Sequence, residues 1–270
     1  LKLYMKNLIM YCVTNKEIKF INNTQYRVGW VGKGSLPNNY IACNLQDNIF
    51  FKEQYYSELT FQYWYWKNQL NLNNSDWVGF CQKRRFWIKR ESINKKINEF
   101  NYNDHFLNYI PDEYEKHESI ICEPISVMGV KKMKMIKRGF KNLIQNPSIF
   151  FNKDKQSIKL HFDMHHGHGN ISKAANLLPD EDRDEFLEYI NTSNNFHPHI
   201  MFIAKPYVIN NWFNNLFPWL MRCEKVFGFK NLQGYDTQRL YAFLAERYLS
   251  FWFRKHTRFT TWPWRFYEGK

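Results

Sequence analysis

Nowhere in its 270 residues does this sequence carry an apolar run approaching the roughly 20 residues of a membrane-spanning helix, so no span is predicted. The opening LKLYMKNLIMYCVTNKE has too short an apolar run for a secretory signal and no small-residue cleavage site, and the expectation is a cytoplasmic protein. Cysteine is scattered: Cys12, Cys43, Cys81, Cys122 and Cys223 form no C-x-x-C pair, and three of them lie in apolar strand-like runs. That pattern predicts reduced core thiols and no disulfide framework. The Gly32-Lys33-Gly34 loop is no P-loop, because the earlier glycine and the following Lys-Ser/Thr are missing. No recognisable nucleic-acid motif is present either.

What is there is a core and a charge. With 44% hydrophobic and 19% aromatic residues the chain can bury one large α/β domain or two small ones, which argues against disorder. Thirty-eight Lys and Arg against 25 Asp and Glu leave a formal net charge of +13, so polyanions are attracted. Nucleic acid, anionic lipid headgroups and diphospho-sugars or diphospho-lipids all satisfy that electrostatic preference. The densest basic segment, VKKMKMIKRGFKNLIQN, places Met133, Ile136, Phe140, Leu143 and Ile144 at helical spacing, with lysines and Arg138 between them. Such a basic amphipathic helix either packs on its own domain as a solvated helix or lies in a membrane interface.

Periodicity predicts a mixed α/β chain. Ile9 to Val13 reads as a buried strand followed by the polar turn Thr14-Asn15-Lys16, and Arg27 to Val31 as a second strand before Gly32. A helix through Tyr56, Leu59, Tyr63, Trp66 and Leu70 shows one apolar seam, with Glu58 and Gln62 off it and free to face a cleft. Asp76 then opens the apolar strand DWVGFCQKRRF, which closes on Arg84 and Arg85. Paired arginines at a strand end suit phosphate, because each guanidinium presents forked donors to two oxygens. The bland reading is two exposed arginines closing an ordinary strand.

Two further constellations stand out. HFDMHHGHGN gathers His161, Asp163, His165, His166 and His168; read as a strand, it puts Asp163 and His165 on one face, where they would share a divalent metal. A loop donating neutral hydrogen bonds to pyrophosphate or acceptor through His165 and His166, or a surface loop without a role, are the other readings. On the C-terminal helix Asp236, Arg239, Phe243, Glu246 and Arg247 fall within about a 100° arc, beside an apolar arc of Leu240, Leu244, Tyr248, Phe251 and Trp252. The charged arc is either a salt-bridged surface or a functional face whose carboxylates, flanked by arginine, stay ionised.

The segments YSELTFQYWYWKN, DWVGFCQKRRF, MFIAK, LFPWL and YDTQRLYAFLAERYLSFW occur in the order seen in a known family. Over roughly residues 11–253 the chain resembles the bacterial capsular-polysaccharide glycosyltransferase domain long catalogued as a domain of unknown function, which is similar to A-type nucleotide-sugar transferases. The resemblance implies an α/β, Rossmann-like mixed sheet flanked by helices. It implies one domain over residues 1–270, with a basic insertion at about 128–158 and a basic aromatic tail at about 254–270. It implies glycosyl transfer from a nucleotide-sugar donor to a saccharide or lipid-linked saccharide acceptor in capsular or surface polysaccharide synthesis; the basic amphipathic helix, not the resemblance, adds the expectation of peripheral contact at the inner face of an anionic membrane. Donor binding would fall to Thr14, Asn15, Lys16, Lys33, Glu58, Asp76, Arg84, Arg85, Arg239 and Arg247. Glu246 and Asp236 would be catalytic, and His165 and His166 would form the acceptor or phosphate loop. QKRR stands where such transferases often carry an acidic D-x-D metal site, so the expectation is no required cofactor, with Mn or Mg at Asp163 and His165 as the alternative. A non-enzymatic saccharide- or polyanion-binding protein stays open as a competing class, and nucleic-acid binding is the least supported.

Overall fold

A computed structural model describes residues 7–21, 24–74 and 76–269; the reading of the first six residues falls outside them. Its strands are β1 (Leu8–Thr14), β2 (Arg27–Trp30), β3 (Tyr40–Ala42), β4 (Trp77–Gln82), β5 (Arg85–Trp87), β6 (Ser119–Cys122), β7 (Ile125–Ser126), β8 (Asn195–Phe196), β9 (Phe202–Ala204), β10 (Phe259–Trp262) and β11 (Trp264–Phe266). The chain divides into two compact units, each built from separate stretches of sequence. The first takes in the chain as far as Glu123, His199–Asn215 and Trp252 onward; the second is Pro124–Pro198 with Leu216–Phe251.

The first unit is a mixed sheet. Among the described residues it has nine strands, in the order β10-β6-β9-β4-β1-β2-β3, with β5 attached to β4 and β11 to β5. The run LIMYCVT of β1 is nearly all apolar because it is a central strand, parallel to β2 on one side and to β4 on the other. Strand β9 enters antiparallel between β4 and β6. All five cysteines are buried and free, as expected.

The helix predicted from Tyr56 onward is two helices, α1 (Glu53–Tyr56) and α2 (Leu59–Asn68), separated at Ser57, whose φ is 53°. No single seam survives, since every residue from Leu59 to Tyr65 is buried. Gln62, read as cleft-facing, is 1% exposed and donates to the Ile200 carbonyl at 3.0 Å. The helix lies close on the sheet at Gly29, where an added Cβ would stand 2.4 Å from the Phe61 ring. A short helix α3 (Tyr102–His105) packs its Tyr102 ring against Phe106 and Phe20.

The basic aromatic tail is no appendage. Strand β10 pairs in parallel with β6, and β11 pairs antiparallel with β5. Trp262 is 1% exposed and its indole donates to the Ile88 carbonyl at 2.8 Å. Of the aromatic residues in this segment Trp262 and Tyr267 are core, whereas Phe266 is 53% exposed.

The second unit is mainly helical: α4 (Lys132–Gln145), α5 (Ile158–His166), α6 (Asn170–Ala175) and α7 (Asp180–Thr192). It also holds the later part of α8 (Pro206–Phe227), then α9 (Tyr235–Gln238) and most of α10 (Leu240–His256). HFDMHHGHGN is therefore helix and turn, not strand. Ser157 caps α5 by accepting from the Leu160 amide at 3.3 Å, and Gly167, at φ 99°, ends it. Core packing runs through Phe186, Trp219 and Tyr248, with the Tyr248 hydroxyl donating to the fully buried Asp182 at 2.6 Å.

Candidate functional site

In an open α/β sheet, ligands collect where the strand order reverses, beyond the carboxyl ends of the parallel strands. Here that point lies between β1 and β4, since β2 and β3 extend the sheet to one side of β1 and β4 lies on the other. A cavity of about 730 Å³ opens there, walled by the chain following β1 and the turn following β4. Thr14, 2% exposed, folds the first segment back: its hydroxyl donates to the Lys16 carbonyl at 2.5 Å and accepts from the Lys16 amide at 3.1 Å. In the turn, the Lys83 amide donates to the Val13 carbonyl at 3.2 Å, and its ammonium donates to the Asn15 side-chain oxygen at 2.6 Å.

The cavity is chemically mixed. Lys16, Lys19, Lys83 and Arg84 are its cations, Glu17, Glu99 and Glu268 its carboxylates. Phe20 and Tyr102 add aromatic surface, their ring centroids 5.2 Å apart. Arg84 and Glu268 form an ion pair at 3.0 Å, both side chains nearly half exposed, so an incoming anion competes for a guanidinium that is already positioned.

Of the residues expected at the donor site, Lys16 and Arg84 line the cavity, and Thr14 and Asn15 bond to its wall at Lys16 and Lys83. Arg85 is separated from Arg84 by the hairpin geometry: it starts β5 and donates to the Gln82 side-chain oxygen at 3.2 Å. The Gln82 amide in turn donates to Glu58. The arginines thus do not act as a side-by-side pair. Asp76 precedes β4 and accepts from the Asn7 amide at 3.1 Å, a strand length of roughly 15–20 Å from the cavity end. Lys33 is exposed and lies outside the cavity wall. Sequence reasoning missed Lys83, although it abuts Arg84 in QKRR, and missed Glu99, Tyr102 and Glu268, which reach the cavity only through tertiary packing.

The second unit holds the other cluster. Arg247 was placed on a charged face, yet it is 1% exposed. It pairs with Glu246, donates toward the His161 ring at 3.3 Å and stacks over Phe196 at 3.7 Å. A guanidinium only donates, so His161 Nδ1 carries the lone pair. Burial first, then Arg247, push the His161 pKa down to about 2. His161 and His165 stack with centroids 4.5 Å apart. His165 Nδ1 donates to the His161 carbonyl at 2.8 Å and His166 Nδ1 to the Asp236 carbonyl at 2.7 Å, which leaves Nε2 of each as the acceptor. Burial lowers both pKa values, that of His166 to about 4. These are neutral imidazoles at pH 7.

The continuous charged arc of the C-terminal helix does not form, because α9 ends at Arg239 (φ −90°, ψ 31°) before α10 begins. Asp236 instead pairs with Arg138 at 3.1 Å, both about half exposed. The apolar arc is as expected, with Leu240, Leu244, Tyr248, Phe251 and Trp252 all buried.

The reading of Asp163 and His165 as metal ligands fails on geometry. On a helix, residues i and i+2 point about 200° apart. Asp163 is 4% exposed and already accepts from Lys159 Nζ at 2.6 Å, Asn142 Nδ2 at 2.8 Å and the Gly169 amide at 2.9 Å. Proton donors occupy the lone pairs that a cation would need, and among the described residues no group of three or more His, Cys, Asp or Glu is placed to hold a metal ion. The carboxylate ties α4, α5 and the turn before α6 together.

A family model described as Domain of unknown function (DUF4422) matches residues 9–257, and the chain belongs to that family. Among solved structures it is similar to the bifunctional glycosyltransferase WbbM in its apo form, at 19% identity and a TM-score of 0.68, over 97% of this chain and 45% of that one. The two share a fold, and this chain spans less than half of the WbbM chain. The mannosyltransferase Ktr4p from S. cerevisiae aligns at 10% identity over 90% of this chain and 63% of that one, with a TM-score of 0.28, too low to relate the folds. Among curated proteins none matches.

Proposed function

We propose that this chain is a glycosyltransferase domain that takes a nucleotide-sugar donor at the cavity between the β1 and β4 ends and transfers the sugar to a saccharide hydroxyl. The observation that carries the reading is the placement of Lys16, Lys19, Lys83 and Arg84 around one cavity at the switch point of the sheet. Each part of a nucleoside diphosphate has a counterpart there: cations for the two phosphates, a carboxylate such as Glu17 or Glu99 for ribose hydroxyls, and the Phe20 and Tyr102 rings for the base. The family membership and the fold shared with WbbM, itself a glycosyltransferase, agree with this assignment.

Departure of the nucleotide places negative charge on the leaving diphosphate, and fixed cations stabilise it best when they need no reorganisation. Lys83, held by Asn15, and Arg84, held by Glu268, are already in position. Asp163 and His165, the residues expected to hold a metal, do not fit one. Glu246 lies in the second unit, where its carboxylate pairs with Arg247, and is kept as the catalytic carboxylate on the family resemblance alone. The acceptor we assign is a saccharide or lipid-linked saccharide of a surface polysaccharide.

Titration calorimetry with UDP, GDP and CMP tests the donor class. Binding of one nucleotide that Arg84→Ala weakens is the expected result; binding of oligosaccharide alone, with no nucleotide response, would make the chain a saccharide-binding module.

A further inference from the structure

The face that α4 turns outward is the one its apolar spacing marks for burial. Met135, Gly139 and Asn142 face the interior of the second unit. Met133, Ile136, Phe140 and Ile144 are instead 64%, 43%, 60% and 65% exposed, on both sides of the kink at Gly139. At about 100° per residue Met133 and Ile136 lie about 60° apart before the kink, and Phe140 and Ile144 about 40° apart after it. Lys134, Lys137, Arg138 and Lys141 are exposed beside them, with Lys131 and Lys132 at the helix start. No acidic residue occurs between Glu123 and Asp154. A helix that packed by its apolar stripe would not leave Met133, Ile136, Phe140 and Ile144 exposed.

We propose that this face of α4 docks on a membrane surface rich in anionic phospholipid. The aliphatic and phenyl side chains enter the boundary between headgroups and acyl chains, and the lysines lie against the lipid phosphates. Charge complementarity selects this occupant, and the apolar arc separates it from other polyanions. Nucleic acid would engage the cations but leave Met133, Ile136 and Ile144 in water, because bases stack on aromatic or guanidinium planes. A second copy of the chain would set cations against cations. The inference stands whether or not the chain transfers sugar.

Cosedimentation of the full chain with phosphatidylcholine vesicles, with and without phosphatidylglycerol, tests it. The chain is expected to pellet with the anionic vesicles only, and less so as salt is raised. Ile136→Ser/Phe140→Ser/Ile144→Ser should abolish pelleting, and Lys134→Ser/Lys141→Ser should weaken it roughly tenfold or more. Lys95→Ser/Lys96→Ser removes the same charge from exposed positions of the first unit and should leave it intact. If the triple variant melts early, Phe140→Ser alone and the Lys134/Lys141 variant carry the test. Failure to pellet with anionic vesicles, undiminished pelleting of the Phe140 and triple variants, or an equal loss in the Lys95/Lys96 variant would overturn the proposal. So would tight binding of a single-stranded oligonucleotide by this face in the absence of vesicle binding.

Discussion

The Lys83 ammonium donates to the Asn15 side chain at 2.6 Å, so the turn after β4 is bonded to the segment after β1 across the switch point of the sheet. The bond fixes a cation where the carboxyl ends of two parallel strands converge, and Arg84 follows it in the chain, held by Glu268.

Arg84→Ala should lower nucleoside-diphosphate affinity by roughly 10- to 100-fold, the range for a lost charge-assisted bond of about 1.5–3 kcal/mol. Its ion pair is nearly half exposed, so thermal stability should change by no more than about 0–1 kcal/mol. Calorimetric titration beside a melting curve reads both. Wild-type affinity in Arg84→Ala and in Lys83→Ala would remove the diphosphate from this cavity.

Glu246→Gln should reduce turnover and also stability. Its partner Arg247 is 1% exposed, and losing the counter-charge of a buried guanidinium costs about 1–3 kcal/mol. Urea unfolding measures the second effect, and turnover assayed well below the unfolding range measures the first. A destabilised variant with full turnover would confine Glu246 to holding Arg247.

Asp163→Asn should destabilise, because an amide cannot accept from Lys159, Asn142 and Gly169 as the carboxylate does. Transferase activity should persist in excess chelator. Loss of activity to chelator, restored by manganese or magnesium, would require a metal site elsewhere in the protein.

The neutral His166 sets an acid limit. Its folded pKa of about 4 lies below the ordinary 6.5, so the unfolded chain binds the proton first. The stabilisation it contributes is complete above pH 6.5 and is lost as pH falls toward 4. His161, with a pKa of about 2, extends the loss to lower pH. Melting temperatures of wild type and His166→Phe across that range should converge as the pH falls; parallel curves would show that His166 is not the titrating group.

Trp262→Ala should cost about 3–5 kcal/mol, because a fully buried indole and its bond to Ile88 are both removed. A mobile tail would tolerate the change. Denaturant unfolding distinguishes the two.

Much of the sheet was legible. The apolar runs of β1 and β4 mark central strands because both faces of such strands are covered, and Lys16 lines the cavity, with Thr14 and Asn15 next to it in the chain, because loops at strand carboxyl ends do so generally. Local pattern misled wherever two periodicities suit the same residues. HFDMHHGHGN alternates well enough for a strand, yet a serine cap before it and Gly167 after it make a helix. The seam read through Tyr56 to Leu70 cannot see that Ser57 breaks the helix or that the Leu59 to Tyr65 stretch is buried all round.

Composition and order of residues by themselves determined an α/β chain, buried free cysteines, a basic character and a pair of arginines just past the end of β4. Tertiary structure decided which charges meet. It set Arg84 against Glu268, 184 positions away, and Tyr102 against Phe20, 82 positions away. It took Arg247 out of water and turned the apolar arc of α4 into it. Spacing along one helix or strand reports which residues share a face, but whether that face meets core, cavity or solvent depends on elements distant in the chain.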